Sequence, residues 1–317
     1  MKRIYSILFI LLAISVSDYA QVSKSTFIYA VKESDTLRLD RYTVPTNNRV
    51  KPCVIFMFGG GFVGGQRDAQ GYPQYFTRLA KGGYDVVSID YRVGLRNVME
   101  RMRHGEKIKK LAFPGLLANA IDTAVVDLYD ATNYVIAKST DWHIDTTKII
   151  INGSSAGAIS VLQAEYYLCS NNKLTQRLPA GFNYGGVISF AGAVFSTHGA
   201  LHWDKHPAPI QFFHGDADNR VPYNKLRLLK YGFYGSKELA KQLAAMNSPY
   251  YFYDVEDADH QMAVVPMEYN ISEIEEFIYY DVKQKRQLKI HTQVAQIGKP
   301  KMKKNFGLKD YLMNNFR

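Results

Sequence analysis

The sequence predicts an α/β fold with a mostly parallel central sheet and helices on both faces. Short β-branched and apolar runs alternate with segments whose apolar residues recur at helical spacing. Strands that alternate with helices usually pair in parallel, because each helix crosses a face of the sheet. The continuously apolar run at residues 53–58 indicates a strand covered on both faces. A chain of 317 residues, 47% hydrophobic and 21% charged, can bury a large core.

The first twenty residues have the pattern of a secretory signal peptide. Lys2 and Arg3 precede an apolar run at residues 4–16, and Ala20 supplies a small residue before Gln21. The run is short for a membrane span, and an uncleaved membrane anchor is the alternative interpretation. The pattern predicts a secreted or periplasmic protein whose mature chain begins near residue 21.

The remaining elements follow in order within a predicted catalytic domain at residues 21–282. Residues 24–44 indicate two strands around a polar turn, and the second alternates with a period of two. Further strands are predicted at residues 53–58, 84–90, 149–151, 186–190, 209–213 and 250–255. Helices are predicted near residues 72–82, 119–138, 156–168, 225–246 and 272–282.

Residues 94–118 interrupt the alternation of strands and helices. The segment holds six Lys and Arg residues and then Phe-Pro-Gly at residues 113–115. Because it follows a predicted strand end, it lies on the side of the sheet where a site would form. It is predicted to be either a lid insertion over that site or a solvated surface loop.

The net charge of +10 is concentrated in the C-terminal segment 283–317. The segment has ten Lys and Arg residues and one acid, Asp310, so it carries about +9 of the total. The rest of the chain is near neutral, which argues against nucleic-acid binding by the whole protein. The segment is predicted to be a basic extension, either solvated or weakly docked, or in contact with an anionic surface. Truncation after Val282 is expected to leave the chemistry intact.

The chain has two cysteines, Cys53 and Cys169. An exported protein can pair two cysteines in a disulfide. Both positions are apolar, at a strand start and a helix end, and such positions also suit buried free thiols.

The segment around Ser155 predicts a nucleophile elbow. Residues 149–158, Ile-Ile-Ile-Asn-Gly-Ser-Ser-Ala-Gly-Ala, form a short strand pattern that runs through Gly-x-Ser-x-Gly into a helix pattern. Gly153 and Gly157 lack side chains, so the strand and the helix can pack closely and expose Ser155 Oγ at the carboxyl end of the sheet. Taken alone, the motif also fits a glycine-rich turn with a chance serine.

A catalytic serine needs a general base, and the base needs an acid that orients it. Asp216 and Asp218 follow the strand predicted at residues 209–213, and they compete for the place of the acid. His260 follows the last predicted strand, where chain order places the base. Seven other histidines fit that place less well and are predicted to be surface or structural residues; they include His198, His202, His206 and His214.

Residues 214–222, His-Gly-Asp-Ala-Asp-Asn-Arg-Val-Pro, resemble the acid loop of the α/β-hydrolases. The aspartate of that loop matches Asp218, which leaves Asp216 as a turn residue. The catalytic histidine of the family falls where His260 stands. The resemblance implies an α/β-hydrolase fold with a central sheet of about eight strands.

Two further segments carry a resemblance to carboxylesterases and lipases. Phe-Gly-Gly-Gly-Phe at residues 58–62 is similar to their His-Gly-Gly-Gly loop, and residues 87–92 are similar to their Val-Asn-Tyr-Arg strand end. Phe58 departs from the pattern, because the family has a histidine there. The resemblance implies that the oxyanion is held by the N–H groups of Gly60, Gly61 and Ala156.

The resemblance implies an exported serine esterase that needs no metal or organic cofactor. Ser155 would attack the ester, His260 would move the proton, and Asp218 would orient His260. The substrate would be a small-molecule or polysaccharide-linked ester, such as an acetyl or feruloyl ester. The alternatives are a peptidase of the same fold and a non-catalytic binding module on a hydrolase scaffold. The chain is too short for the propeller of prolyl oligopeptidases, and a binding module has no need for the three residues.

Overall fold

The computed structural model describes residues 21–33, 35–45, 49–109, 112–304 and 306–315. The predicted signal peptide at residues 1–20 lies outside them. The described strands are β1 (Ser23–Lys32), β2 (Asp35–Thr43), β3 (Lys51–Met57), β4 (Asp85–Ile89), β5 (Ile144–Ser154), β6 (Gly186–Phe190), β7 (Ala193–Ser196), β8 (Ile210–Gly215), β9 (Lys225–Leu228), β10 (Tyr231–Gly235), β11 (Tyr250–Val255) and β12 (Lys289–Val294). The described helices are α1 (Tyr72–Lys81), α2 (Arg96–Arg103), α3 (Phe113–Ala137), α4 (Ser139–Trp142), α5 (Ala156–Cys169), α6 (Ser236–Ala245), α7 (Pro266–Tyr269), α8 (Ile271–Phe277) and α9 (Leu308–Asn315). A π-helical turn, Ile278–Lys283, continues α8.

The central sheet contains nine of the described strands, in the order β1-β2-β4-β3-β5-β6-β8-β11-β12. All neighbours from β4 to β12 are parallel, whereas β1 and β2 form an antiparallel edge. Strands β3, β4, β6 and β8 are buried along their whole length, as the continuous apolar runs indicate. The predicted mostly parallel α/β sheet is confirmed, with nine strands where about eight were expected.

A second sheet of three antiparallel strands, β7-β10-β9, was not expected from the sequence. The helix predicted near residues 225–246 is wrong over its first half, because α6 begins only at Ser236. Strand β10, Tyr-Gly-Phe-Tyr-Gly, has aromatic side chains that favour strands and glycines that disfavour helix interiors. Its hairpin turn from β9 includes Leu229 at a φ of 55°.

The insertion predicted at residues 94–118 ends earlier in the structure. Helix α3 begins at Phe113, whereas the sequence predicts its start at residue 119. Pro114 lies in the first turn of this helix, where a missing N–H breaks no helical hydrogen bond. The described residues before α3 pack on the glycine loop. Leu95 is buried and its N–H donates to Phe62 O at 2.8 Å. Closure of this segment over the site stays a prediction.

The basic segment 283–317 takes part in the fold. Strand β12 extends the central sheet by pairing with β11 over six residues, Tyr250↔Lys289 to Val255↔Val294. Tyr311 on α9 is buried, and its ring centroid lies 4.9 Å from that of Phe233 on β10. The boundary predicted at residue 282 therefore does not coincide with the end of the sheet.

This packing changes the expected result of a truncation after Val282. The shortened chain loses the β12 ladder, and burial of a side chain such as Tyr311 alone contributes about 2 kcal/mol. For a protein of this size, 1 kcal/mol shifts the melting temperature by roughly 2–4 °C. We expect a melting temperature at least about 10 °C lower, measured by calorimetry, with activity lost in proportion. A truncation after Gln296 keeps β12 and should show a smaller loss, and equal melting of the full and shortest chains would contradict the prediction.

Neither cysteine is exposed, and both are free thiols. Burial raises the pKa of Cys53 and of Cys169 well above the usual range for a thiol, so neither is set up as a nucleophile. Within the described ranges, no helix is both long enough and apolar enough to cross a membrane.

Candidate active site

Ser155 stands in a sharp turn between β5 and α5. Its backbone has a φ of 52° and a ψ of −115°, a conformation that L-residues adopt only under strain. A Cβ atom on Gly153 would lie 2.3 Å from the carbonyl carbon of Gly157, and one on Gly157 would lie 2.2 Å from Met57 O. Only glycine fits at either position, and the close packing holds the turn in place. This local geometry is that of a nucleophile elbow.

The structure brings Ser155, His260 and Asp218 together in one hydrogen-bonded chain. Ser155 Oγ lies 2.8 Å from His260 Nε2, and His260 Nδ1 lies 2.8 Å from Asp218 Oδ2. Asp218 is an acceptor when ionised, so Nδ1 carries the proton and Nε2 is free to accept from the Ser155 hydroxyl. The Asp218 side chain is fully buried, and the His260 side chain is 17% exposed. The chain of bonds thus runs from a buried charge to an accessible hydroxyl.

The carboxylate of Asp218 is held by hydrogen bonds on both oxygens. Oδ1 accepts from the N–H groups of Arg220 at 2.8 Å and Val221 at 2.9 Å. Burial opposes ionisation, but the hydrogen bonds from His214 and His260 outweigh it, and the pKa of Asp218 lies well below its usual range. The group is therefore ionised at neutral pH, as an orienting acid must be.

Asp216, the competing candidate, faces another way. Its Oδ1 accepts from the N–H of Asp257 at 2.7 Å, and its Oδ2 lies 2.8 Å from Lys304 Nζ in the C-terminal segment. Both oxygens are engaged in contacts that tie loops together. The geometry therefore agrees with the choice of Asp218 that the resemblance implies.

The glycine loop lies against the serine. A Cβ atom on Gly59 would come within 3.3 Å of Ser155 Cβ. Gly60 and Gly61 are exposed and have φ values of 136° and 62°, which favour glycine. In the described part of the chain, the N–H groups of Gly60, Gly61 and Ala156 have no hydrogen-bond partner. Such groups can donate to an anion formed at Ser155, and their assignment as the oxyanion hole stays a prediction.

Phe58 supports this loop by packing. Its ring stacks on Tyr91 with centroids 4.3 Å apart, and the Tyr91 hydroxyl donates to Phe58 O at 2.8 Å. A Cβ atom on Gly65 would lie 2.4 Å from the Phe58 ring, so the far end of the loop folds directly onto it. An apolar contact thus stabilises the loop where the resemblance has a histidine.

One residue near the chain of bonds was not assigned to the site from the sequence. His214, predicted to be a surface or structural residue, is fully buried, and its Nε2 lies 3.2 Å from Asp218 Oδ2. Its position four residues before Asp218 at a strand end was the available signal. Among the described residues, no group of three or more His, Cys, Asp or Glu side chains is arranged to hold a metal ion.

Comparisons with known proteins concern the fold and the resemblance to esterases. The protein-family model BD-FAE, which describes esterase- and lipase-like α/β-hydrolases, matches residues 39–101, a span that includes the glycine loop. No curated protein matches the chain in sequence.

Similar solved structures include esterase 2 of Thermogutta terrifontis phosphoramylated by tabun, with 18% identity and a TM-score of 0.57 over 84% of this chain and 96% of that one. The propionate-bound form of that esterase has 18% identity and a TM-score of 0.55, covering 87% and 97% of the two chains. Esterase B of Lactobacillus rhamnosis has 16% identity and a TM-score of 0.57, covering 84% and 88%.

The sheet order, the elbow and these comparisons define the chain as an α/β-hydrolase in fold. The resemblance to esterases within that fold, stated from the motifs, is supported over residues 39–101 by the family model, and the solved structures bear out the fold.

Proposed function

We propose that this protein is a serine hydrolase that cleaves carboxylic esters. The observation that carries the proposal is the hydrogen-bonded chain from Ser155 Oγ through His260 to Asp218, with distances of 2.8 Å at both steps. The similar solved structures are of esterases, and esterase 2 of Thermogutta terrifontis is described both with bound propionate and as phosphorylated by paraoxon. Organophosphates of that kind modify serines that are activated by a neighbouring base. Ser155 has such a neighbour in His260.

In the proposed mechanism, Ser155 Oγ attacks the ester carbonyl carbon while His260 Nε2 takes the hydroxyl proton. Asp218 holds the imidazole in the required tautomer and stabilises the imidazolium. The oxyanion accepts hydrogen bonds from the N–H groups of the glycine loop and of Ala156. His260 then donates its proton to the departing alkoxide, which leaves an acyl group on Ser155. Water, deprotonated by His260, attacks the acyl-enzyme and releases the carboxylic acid.

A substrate panel with covalent labelling tests this function. The purified protein is assayed on p-nitrophenyl esters of graded acyl length, on acetylated and feruloylated sugars, and on p-nitroanilide peptides. We expect ester hydrolysis, and a fluorophosphonate probe should modify Ser155, located by peptide mass spectrometry. Cleavage of the anilides alone would favour a peptidase. Absence of both turnover and labelling would favour a binding module and overturn the proposal.

We also propose that the enzyme acts outside the cytoplasm, on the basis of the signal-peptide pattern at residues 1–20. Export supports an ester carried by a polysaccharide as the natural substrate. Contact of the C-terminal segment with an anionic surface is a weaker proposal, because several of its lysines form ion pairs with acids of the same chain; they are Lys301, Lys303 and Lys304. Less of the segment's charge is therefore free for a partner.

A further inference from the structure

Asp218 accepts hydrogen bonds from two histidines on the same oxygen. His260 Nδ1 lies 2.8 Å from Asp218 Oδ2, and His214 Nε2 lies 3.2 Å from it. On its other side, His214 Nδ1 lies 2.8 Å from the hydroxyl of Ser236, the first residue of α6. His214 and Ser236 are both fully buried. The hydrogen-bonded chain that starts at Ser155 thus continues past the acid into the core.

The surroundings of His214 suit a neutral ring with its proton on Nε2. In that tautomer Nε2–H donates to the carboxylate of Asp218, and Nδ1 accepts from the Ser236 hydroxyl, so every polar atom has a partner. Among the described residues, Tyr223 lies edge-on to the ring with centroids 5.6 Å apart, and Asp254 is the register partner of His214 on β11. Asp254 accepts a hydrogen bond from the Tyr223 hydroxyl at 2.7 Å.

We propose that His214 is a positioning residue, which holds Oδ2 of Asp218 toward His260 and shares the negative charge of that oxygen. The inference rests on the proposed function, since it concerns the same proton transfer. The backbone N–H groups of Arg220 and Val221 fix only the other oxygen, Oδ1. Without His214, His260 would be the one described side chain that still donates a hydrogen bond to Oδ2.

This arrangement has a chemical consequence. His260 is partly exposed and changes its charge during each cycle, whereas His214 is buried and fixed by Ser236. A fixed donor keeps the carboxylate oriented when His260 is protonated. It also withdraws charge from Oδ2, so its removal should leave more negative charge on that oxygen and strengthen the hydrogen bond that it accepts from His260 Nδ1.

The test compares His214→Leu, which removes the donor, with His214→Gln, whose amide N–H can replace it. We expect His214→Leu to lower kcat by about 10- to 100-fold, because small misplacements of catalytic groups have effects of that size. KM should change by less than about twofold. In the plot of kcat/KM against pH, the acid limb, where the rate falls at low pH, should move to higher pH. His214→Gln should recover most of kcat and return the limb toward its original position. Rates are expressed per site that reacts with the fluorophosphonate probe.

Ser236→Ala gives a second route if His214→Leu does not fold. Loss of the hydroxyl removes the contact that fixes the ring at Nδ1, so the Nε2–H donor is held less firmly against Asp218. We expect a loss of about 3- to 10-fold in kcat and the same direction of shift in the acid limb. An unchanged limb in this variant would overturn the inference.

His206→Leu is a control for the loss of a histidine–serine hydrogen bond. His206 is exposed, its Nδ1 lies 2.7 Å from Ser248 Oγ, and the pair is separate from Asp218. Its kcat and acid limb should match those of the parent. The inference is wrong if His214→Leu keeps the parent kcat per labelled site, or if His214→Gln loses as much as His214→Leu. Failure of the parent itself to hydrolyse esters or to label would instead contradict the proposed function.

Discussion

Ser155→Ala is expected to lower kcat for ester hydrolysis by roughly 10⁵- to 10⁶-fold, the size of effect seen when a serine nucleophile is removed. The substitution deletes only Oγ, whose described partner is His260. Alanine keeps a Cβ atom at the strained backbone position, so the strain and the packing of the elbow are unchanged. Substrate affinity and the melting temperature should therefore stay close to those of the parent. Single-turnover assays measure the substrate affinity, and calorimetry measures the melting temperature.

Ser160→Ala is the control for this variant. Ser160 lies on the same helix α5, and its hydroxyl donates to Ala156 O at 2.9 Å, one turn back along the helix. The same chemical change at this position should leave kcat within about threefold. Turnover or probe labelling of Ser155→Ala at the parent's level would mean that another residue is the nucleophile.

The residues of the candidate site were predictable because each follows a strand. Ser155, Asp218 and His260 come directly after the ends of β5, β8 and β11, and the carboxyl ends of parallel strands meet at one edge of a sheet. The order serine, acid and histidine along the chain then gives each residue its predicted role. The strand pattern and the elbow glycines are local signals, so they can be recognised without knowledge of the tertiary contacts.

Strand position alone does not separate Asp216 from Asp218, because both follow the same strand, and the choice came from the resemblance of residues 214–222 to an acid loop. What separates the two in the structure is long-range: Asp216 bonds to Asp257 and Lys304, far along the chain, and Asp218 bonds to His260. The contact of His214 with Ser236 is likewise long-range, and the strand pattern does not predict it.

The C-terminal segment shows how charge can mislead. Its lysines suggested a solvated extension, but Lys304 lies within ion-pair distance of Asp216, Glu256 and Asp257, so acids of the fold balance it. Strand β12 alternates exposed and half-buried residues, as an edge strand does, and such a strand has a weak apolar pattern. Side chains of α9 also bond to the acid loop, Asn314 to Asn219 O and Asn315 to Arg220 O.

Asp218→Asn is expected to lower kcat by about 10⁴-fold, as the equivalent change does in a known triad. Both oxygens of Asp218 are acceptors: Oδ2 faces His214 and His260, and Oδ1 faces the N–H groups of Arg220 and Val221. An asparagine has one acceptor oxygen and one NH₂ group. In either orientation of the amide, the NH₂ group faces N–H groups that need an acceptor. With the NH₂ toward His260, the ring is driven into the wrong tautomer. With the NH₂ toward the loop, the N–H groups of Arg220 and Val221 lose their acceptor.

Asp216→Asn is the matched control, because Asp216 lies in the same loop after β8 as Asp218. Asparagine can keep its oxygen on the N–H of Asp257 and place its NH₂ group beside Lys304, at the loss of a partly exposed ion pair. Such pairs contribute roughly 0–1 kcal/mol, so kcat should stay within about threefold of the parent. Both variants are assayed for kcat/KM, and calorimetry of each variant separates folded protein from misfolded. The assignment of the acid would be reversed by a larger loss at Asp216, and equal losses at both would show that the loop as a whole, rather than the Asp218–His260 bond, determines the rate.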